Sequence, residues 1–517
     1  MSTEENGQWD AIVIGSGMGG MAAAAALSRL GHRVLLLEQH TTLGGLTHSF
    51  SRDGFTWDVG IHYLSDMAPE NTGRQLLDWL CETPMEFVPM GAVYDNVHIG
   101  SAEPLSLSRP YEAQERDLKD RFPDQIEAIE AWTHALREGR DTMYKIFPTR
   151  AMPEIAGDVL DWWNRRAISK WCARTTKEVI DDITDHPELA AVMAAQWGDH
   201  GGRPSKASFA MHALIAGAYL PSGSWYPVGG SAAFAEHIIP TITNAGGEAR
   251  AGVRVDELLL EDGAAVGVRT ADGAEIRAKA VISDIGVRET LDTLLPEDCG
   301  HEDWIAEIRA LPSSIAHFTL FLGFEGDIEA AGATRSNHWI YPTGETDAVW
   351  TTAPDGAPRC MVASFGSLKN PAHDPGPRNR HMGQFLVWTD WSSAAEWADR
   401  PAGARGEDYA AFKHRTEETL MAQFAQYFPD LAKLVVFRDL ATPLSTVDFT
   451  GHREGAFYGL DVTPERVMCD ALRAKTPIPG LFLAGQDVAS PGIPGALWGG
   501  LLSAASLDPK VMTKFSR

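Results

Sequence analysis

At 517 residues, with 44% hydrophobic and 22% charged side chains, the chain is a folded globular protein too long for one simple core. Its net charge of −26 excludes nucleic acid as a partner and argues against wholesale attraction to an anionic membrane. The five cysteines, Cys81, Cys172, Cys299, Cys360 and Cys469, show no C-x-x-C spacing; they predict reduced packing residues in a cytoplasmic chain, with no disulfide framework and no metal centre.

Residues 1–8 are polar and carry no secretory signal, and no window holds 18 apolar residues, so no helix is expected to cross a bilayer. The first apolar run, Ala11-Ile12-Val13-Ile14, reads as a buried parallel strand, and the alanine-rich Met21–Leu27 as a helix. Between them Gly15, Gly17 and Gly20, with Gly19 beside the last, form G-x-G-x-x-G. This spacing provides a tight turn, a backbone that can approach a pyrophosphate, and close helix–strand packing that aims free N–H groups at the phosphates. A second strand, Arg33–Leu37, ends in Glu38, 18 residues past Gly20, where a carboxylate accepts from ribose hydroxyls. The chain therefore binds a dinucleotide. Gln39 follows, and soon after it a second glycine pair, Gly44-Gly45. That pair resembles flavin enzymes of the glutathione-reductase-like and amine-oxidase-like type, which implies FAD. Thr42 stands where those families usually carry an arginine.

Further along, Phe55, Trp57 and Val59 alternate as a half-buried strand after an Asp53-Gly54 turn. Gly60, His62 and Tyr63 then place two proton-capable side chains past its end, although His62 reads equally well as a core histidine. From about 70 to 220 the pattern is mainly helical, with amphipathic stretches at 74–81 and 124–137. The stretch 143–177 runs against the overall charge: Lys145, Arg150, Arg165, Arg166, Lys170, Arg174 and Lys177 alternate with Phe147, Trp162, Trp163, Ile168 and Trp171. It reads as an interfacial membrane patch or as a packing helix with a solvated basic face. His212 lies in Phe209–Leu214, and Tyr226 precedes a glycine pair. A helix is expected over 232–242 and strands over 249–255, 257–261, 264–270 and 281–284. This block returns to the nucleotide domain and brings the Val253 backbone to adenine. Residues 300–440 are a mixed segment with a strand at His317–Leu322. Last, a buried strand ends at Gly485 and Asp487 follows, placed to bond the ribityl chain or to cap a helix. A small-residue helix begins near Ile493, with Gly495 and Ala496, and its N-terminus favours negative charge at the flavin's pyrimidine edge.

Taken together, GSGMGG with LLLEQH, GLTHSF with WDVGIHY, SFAMHAL with YPVGGSAAF, IPTITNAGG, GAFYG and PIPGLFLAGQDV running into PGALWGGLL resemble the carotenoid (phytoene) desaturase and isomerase flavoproteins, the retinol-saturase-like members above all. The resemblance implies an α/β fold, with a Rossmann-like FAD domain (8–70, 225–290 and 470–517) interleaved with an α+β substrate domain (71–224 and 291–469). It implies saturation, desaturation or cis-trans isomerisation of a carbon–carbon double bond in a long apolar polyene, isoprenoid or related lipid. The hydrophobic leader expected of a membrane-compartment saturase is missing. Trp225, Tyr226, Phe457, Tyr458 and Trp498 are candidates for a dry tunnel, Gly60 and His62 for the flavin side, and His62, Tyr63, His212 and Tyr226 for the proton donor. No second glycine fingerprint occurs, so electrons are exchanged with an external donor or acceptor, or the flavin is recycled without net redox change. Two alternatives share the fold: an amine-oxidase-like enzyme oxidising a C–N bond, and a non-catalytic prenyl- or lipid-binding escort protein.

Overall fold

The computed structural model describes residues 9–152, 154–296, 299–350 and 357–515; the polar residues 1–8 lie outside them. Strand β1 (Ala11–Ile14) is buried at every position, as a fully apolar run between two covered faces must be. It pairs in parallel with β2 (Val34–Leu37) on one side and with Val281–Ser283 on the other. Glu248–Arg250 extends the sheet beyond β2, and Leu481–Leu483 closes it beyond Val281–Ser283. Helix α1 (Met18–Ser28) is buried along its whole length. Alanine side chains leave nothing to hold it away from its neighbours, so it packs between Ala233–Asn244 and Gly492–Leu507. Arg29 at its end donates to the carbonyls of Trp79 (3.1 Å) and Cys81 (2.6 Å), which docks the helix Thr72–Leu80 there.

A second, seven-stranded sheet runs in the order Val435–Ala441, Ala316–Glu325, Arg380–Thr389, Met361–Ser364, Asn337–Tyr341, Val93–Ile99, Leu105–Ser108. Only the pairing of Val93–Ile99 with Asn337–Tyr341 is parallel. One face packs on Phe324, Phe365, Phe385 and Phe424. The hairpin of Ser49–Arg52 and Phe55–Asp58 lays Phe55 and Trp57 on Phe321, and Trp57 Nε1 donates to the Leu322 carbonyl at 3.0 Å. A smaller antiparallel sheet holds Val255–Glu261, Ala264–Thr270 and Glu275–Arg277. The helices Ile126–Ile146 and Phe209–Ala218 pack together and wall the space between the large sheets. None of the five cysteines is in a disulfide. Among the described residues no helix is long and apolar enough to cross a membrane.

Candidate active site

One continuous cavity of about 1570 Å³ runs from the glycine turn after β1 into the space beside the seven-stranded sheet. A single drug-sized ligand occupies roughly 300–1,000 Å³, so this cavity has room for a dinucleotide and a second molecule together. Gly15, Gly17, Gly19, Glu38, Gln39, Gly45, Gly60, His62, Val253, Asp487, Ile493, Gly495 and Ala496 all line it. Gly20, Gly44 and Gly485 lie behind its wall and shape it from there.

The cradle is built by close approach of backbone. A Cβ on Gly20 would lie 2.0 Å from the Gly15 carbonyl oxygen, and one on Gly45, at φ +54°, would lie 2.9 Å from Gly17 Cα. Glu38 secures this turn from below. Its Oε2 accepts from the Ser16 amide (2.9 Å) and hydroxyl (2.7 Å), its Oε1 from the His40 amide (2.8 Å), and Ser16 Oγ in turn accepts from the Gly44 amide (2.9 Å). The Val253 amide is donated to the Glu38 carbonyl at 2.8 Å, so any adenine contact through this backbone falls to its carbonyl.

Two acids near the cradle are held by the protein's own backbone amides. Asp487 Oδ2 accepts from the Val287 amide and Oδ1 from the Leu460 amide, both at 2.9 Å. It staples three distant segments together, and both carboxylate oxygens already serve that task. Asp284, at the end of Val281–Ser283, sits at the N-terminus of α1, where its Oδ2 accepts from the Gly20 amide at 2.6 Å. Burial, with the nearby charges of Glu38 and Asp487, pushes its carboxyl up to about 8, so it is protonated at neutral pH and adds no negative charge where a diphosphate would lie.

Beyond the cradle, His62 and His317 face the cavity, each with a buried Nδ1 that has no hydrogen-bond partner. Burial lowers His62 to about 3, helped by the charges of Lys369 and His317, and burial alone lowers His317 to about 4. Both are neutral imidazoles. The phenol of Tyr63 lies between two carboxyls, 2.9 Å from Asp95 Oδ2 and 3.0 Å from Asp199 Oδ2. Asp199 and Tyr219 line the cavity with it, as do Phe457, Tyr458 and Trp498.

His212 and Tyr226 do not reach the cavity. His212 is fully buried against Trp132, with Nδ1 3.0 Å from His200 Nε2 and Nε2 3.3 Å from the Met193 carbonyl; it is a satisfied core histidine. The Tyr226 hydroxyl is tied to Asp58 beside the strand pair Phe87–Pro89 and Trp225–Pro227, and Trp225 is likewise outside the cavity wall. The basic stretch also reads differently in three dimensions. Arg150 turns inward to the carbonyls of Val467, Cys469 and Leu472, while Lys170, Arg174 and Lys177 pair with Glu138, Asp182 and Asp181. Besides the exposed Lys145, Arg165 and Arg166, the stretch exposes an apolar set: Tyr144, Met152, Val159, Leu160, Trp162 and Trp163, the last 74% accessible.

The model of the family described as flavin containing amine oxidoreductase matches residues 18–375. All-trans-retinol 13,14-reductase of Danio rerio is 31% identical over 517 residues, covering 95% of this chain and 84% of that protein. The prolycopene isomerase of Daucus carota is 25% identical over 513 residues, covering 94% and 77%. Among solved structures, cyclohexylamine oxidase from Brevibacterium oxydans superposes with a TM-score of 0.64 at 15% identity over 99% of this chain and 100% of that one. Fold and cradle together define an FAD-dependent oxidoreductase. The chain belongs to the flavin-containing amine oxidoreductase family.

Proposed function

We propose that the chain uses FAD to act on a carbon–carbon double bond of a long apolar polyene, isoprenoid or related unsaturated lipid, by saturation, desaturation or cis-trans isomerisation. The observation that carries this reading is the continuity of the cavity: it leaves the dinucleotide cradle past His62 and His317 and enters an arm walled by Phe147, Leu214, Ile215 and Ala218. The retinol reductase and prolycopene isomerase relatives support the same chemistry.

Gly15, Gly17, Gly19 and Gly45 would receive the diphosphate side of FAD, Glu38 the ribose, Val253 the adenine, and Ile493, Gly495 and Ala496 the far end of the ring. On this reading residues 8–70, 225–290 and 470–517 form the cofactor domain and the rest the substrate domain. Bound FAD supplies hydride transfer to or from an alkene carbon. The protein's part is to keep the arm dry, to hold the chain of double bonds in one register, and to present neutral imidazoles that accept or donate hydrogen bonds without adding charge. Electrons that leave or enter are exchanged with an external partner.

The exposed apolar cluster Tyr144–Trp163 adjoins Phe147 and Pro148 in the cavity wall, so substrate enters from a membrane surface on which this cluster rests. Its aromatic side chains provide the contact, with Lys145, Arg165 and Arg166 exposed beside them. Incubating the yellow holoprotein with all-trans-retinol, prolycopene and unsaturated fatty acids, followed by mass analysis, tests the proposal. Gain of two hydrogens, loss of two, or an isomer of unchanged mass supports it. Flavin reduction by amines, with every polyene left unchanged, overturns it.

A further inference from the structure

We propose that Asp199 holds the proton exchanged with the substrate and that the Tyr63 hydroxyl connects it to Asp95 as a reserve, an assignment that rests on the alkene chemistry proposed above.

Asp199 closes the short helical turn Ala195–Asp199 in the cavity wall. Its Oδ2 is held by the hydroxyls of Tyr63 (3.0 Å) and Tyr219 (3.2 Å). Among the described residues no hydrogen bond reaches Oδ1, and the accessible part of Asp199 is cavity wall. Behind it, Asp95 Oδ2 takes the same Tyr63 hydroxyl and Gln196 Nε2 at 3.0 Å. A phenol has one proton. Tyr63 can donate to one carboxyl only, and must accept from the other, so the pair of acids shares at least one proton by geometry alone.

The surrounding charges agree. Lys369 Nζ donates to the carbonyl of His62 (2.9 Å), to Ser364 Oγ (2.7 Å) and to Asn337 Oδ1; burial lowers it to about 7, while Asp95 and Asp58 favour its charged form. The other titratable groups around the pair, Tyr94, Tyr219, Tyr341 and Tyr458, are held neutral by burial. Burial, with the neighbouring Asp95 charge, lifts Asp199 to about 8, and burial lifts Asp95 to about 7. Asp95 and Lys369 thus both exchange their protons near neutral pH, so Asp95 can hold a reserve proton while Asp199 stays protonated at the cavity.

In the reducing direction the Asp199 proton would form a new C–H bond with the alkene π electrons, and FAD, held by the cradle, would supply the hydride for the neighbouring carbon. Asp199, left as carboxylate, takes the Tyr63 proton as Tyr63 takes that of Asp95. Desaturation runs the same transfers backwards. Asp199 is the catalytic residue of this set; Tyr63 and Asp95 position and resupply it.

Infrared spectra of the holoprotein across pH 6 to 10 test the proton store without any substrate. The wild-type minus D199N difference spectrum, in which the Asp284 carboxyl cancels, should show a protonated carboxyl band lost near pH 8, and Y63F should shift its midpoint. In a second arm, reduced holoprotein is mixed with all-trans-retinol for a single turnover. D199N should slow hydrogen addition about 10²–10⁴-fold, with partial recovery in D199E and a displaced pH profile in Y63F. Flavin content identifies variants that fail to fold, and D199E and Y63F then carry the test. A band present in wild type with retinol, prolycopene and fatty acids all unchanged supports the store while refuting the substrate reading. Absence of that difference band at neutral pH, or a D199N protein with unchanged rate, overturns the proposal.

Discussion

Asp284 offers the most quantitative test of how the cradle is built. An unfolded aspartate ionises near 3.8, whereas in the fold this carboxyl keeps its proton to about 8, chiefly through burial. A group whose folded pKa is raised costs the folded state stability as pH climbs between the two values. Below pH 4 there is no difference, the loss accumulates from about 4 to about 8, and above that it is constant. At about 1.4 kcal/mol for each pH unit crossed, the accumulated loss is about 6 kcal/mol. Asp284→Asn keeps an oxygen to accept the Gly20 amide and has no proton to lose. The variant should match wild type within about 1 kcal/mol near pH 4 and become steadily more stable relative to it up to pH 8. Urea unfolding midpoints of the flavin-free proteins at pH 5, 7 and 8.5 measure this. Above pH 8, FAD binding by wild type should also weaken with pH while that of the variant stays level, read by quenching of flavin fluorescence. A stability gap that does not widen with pH, or a wild type that is the more stable at pH 8.5, refutes the reasoning.

Gly20→Ala should yield a colourless protein, because the added methyl meets the Gly15 carbonyl at 2.0 Å; flavin absorbance per protein is the measurement, and a yellow variant contradicts the close-packed turn. His212→Ala should cost about 2–4 kcal/mol in urea unfolding, through a cavity beside Trp132 and an unpaired His200. It should leave the rate of flavin reoxidation by retinol unchanged, since the ring never meets the cavity. Trp162→Ser with Trp163→Ser should abolish most co-sedimentation with phospholipid vesicles while flavin content is kept. Raising the salt concentration should weaken the wild-type interaction only in part, because aromatic contact is independent of salt while Lys145, Arg165 and Arg166 stay exposed beside it.

The part of the site that local sequence encodes was legible from it. The apolar run of β1, the spaced glycines, the alanine helix and Glu38 lie within 28 consecutive positions, and each has a local physical reason for its residue type. Groups that meet only after folding were not. Asp284 reaches Gly20 across 264 positions, and at a strand end an acid has no local mark that separates it from an ordinary turn. Asp199 meets Tyr63 across 136 positions, so the sequence offered Tyr63 without the two acids that give it a task. His212 misled for the same reason: its partner His200 and the burial that neutralises it are tertiary facts. The basic stretch was counted as charge, yet Lys177 and Arg174 find their acids four and eight residues on, and Lys170 finds Glu138 32 residues back.

The order of the parallel sheet has a consequence for biosynthesis. Its first strand emerges at residues 11–14, but the neighbour that closes the far edge is 481–483. A ribosome therefore releases nearly the whole polypeptide before the Rossmann sheet can be completed. Until then the early strands wait with an open hydrogen-bonding edge, exposed to chaperones or to mispairing. Flavin loading should for this reason come late, and chains cut short before the last helix should be cleared by proteolysis as colourless fragments.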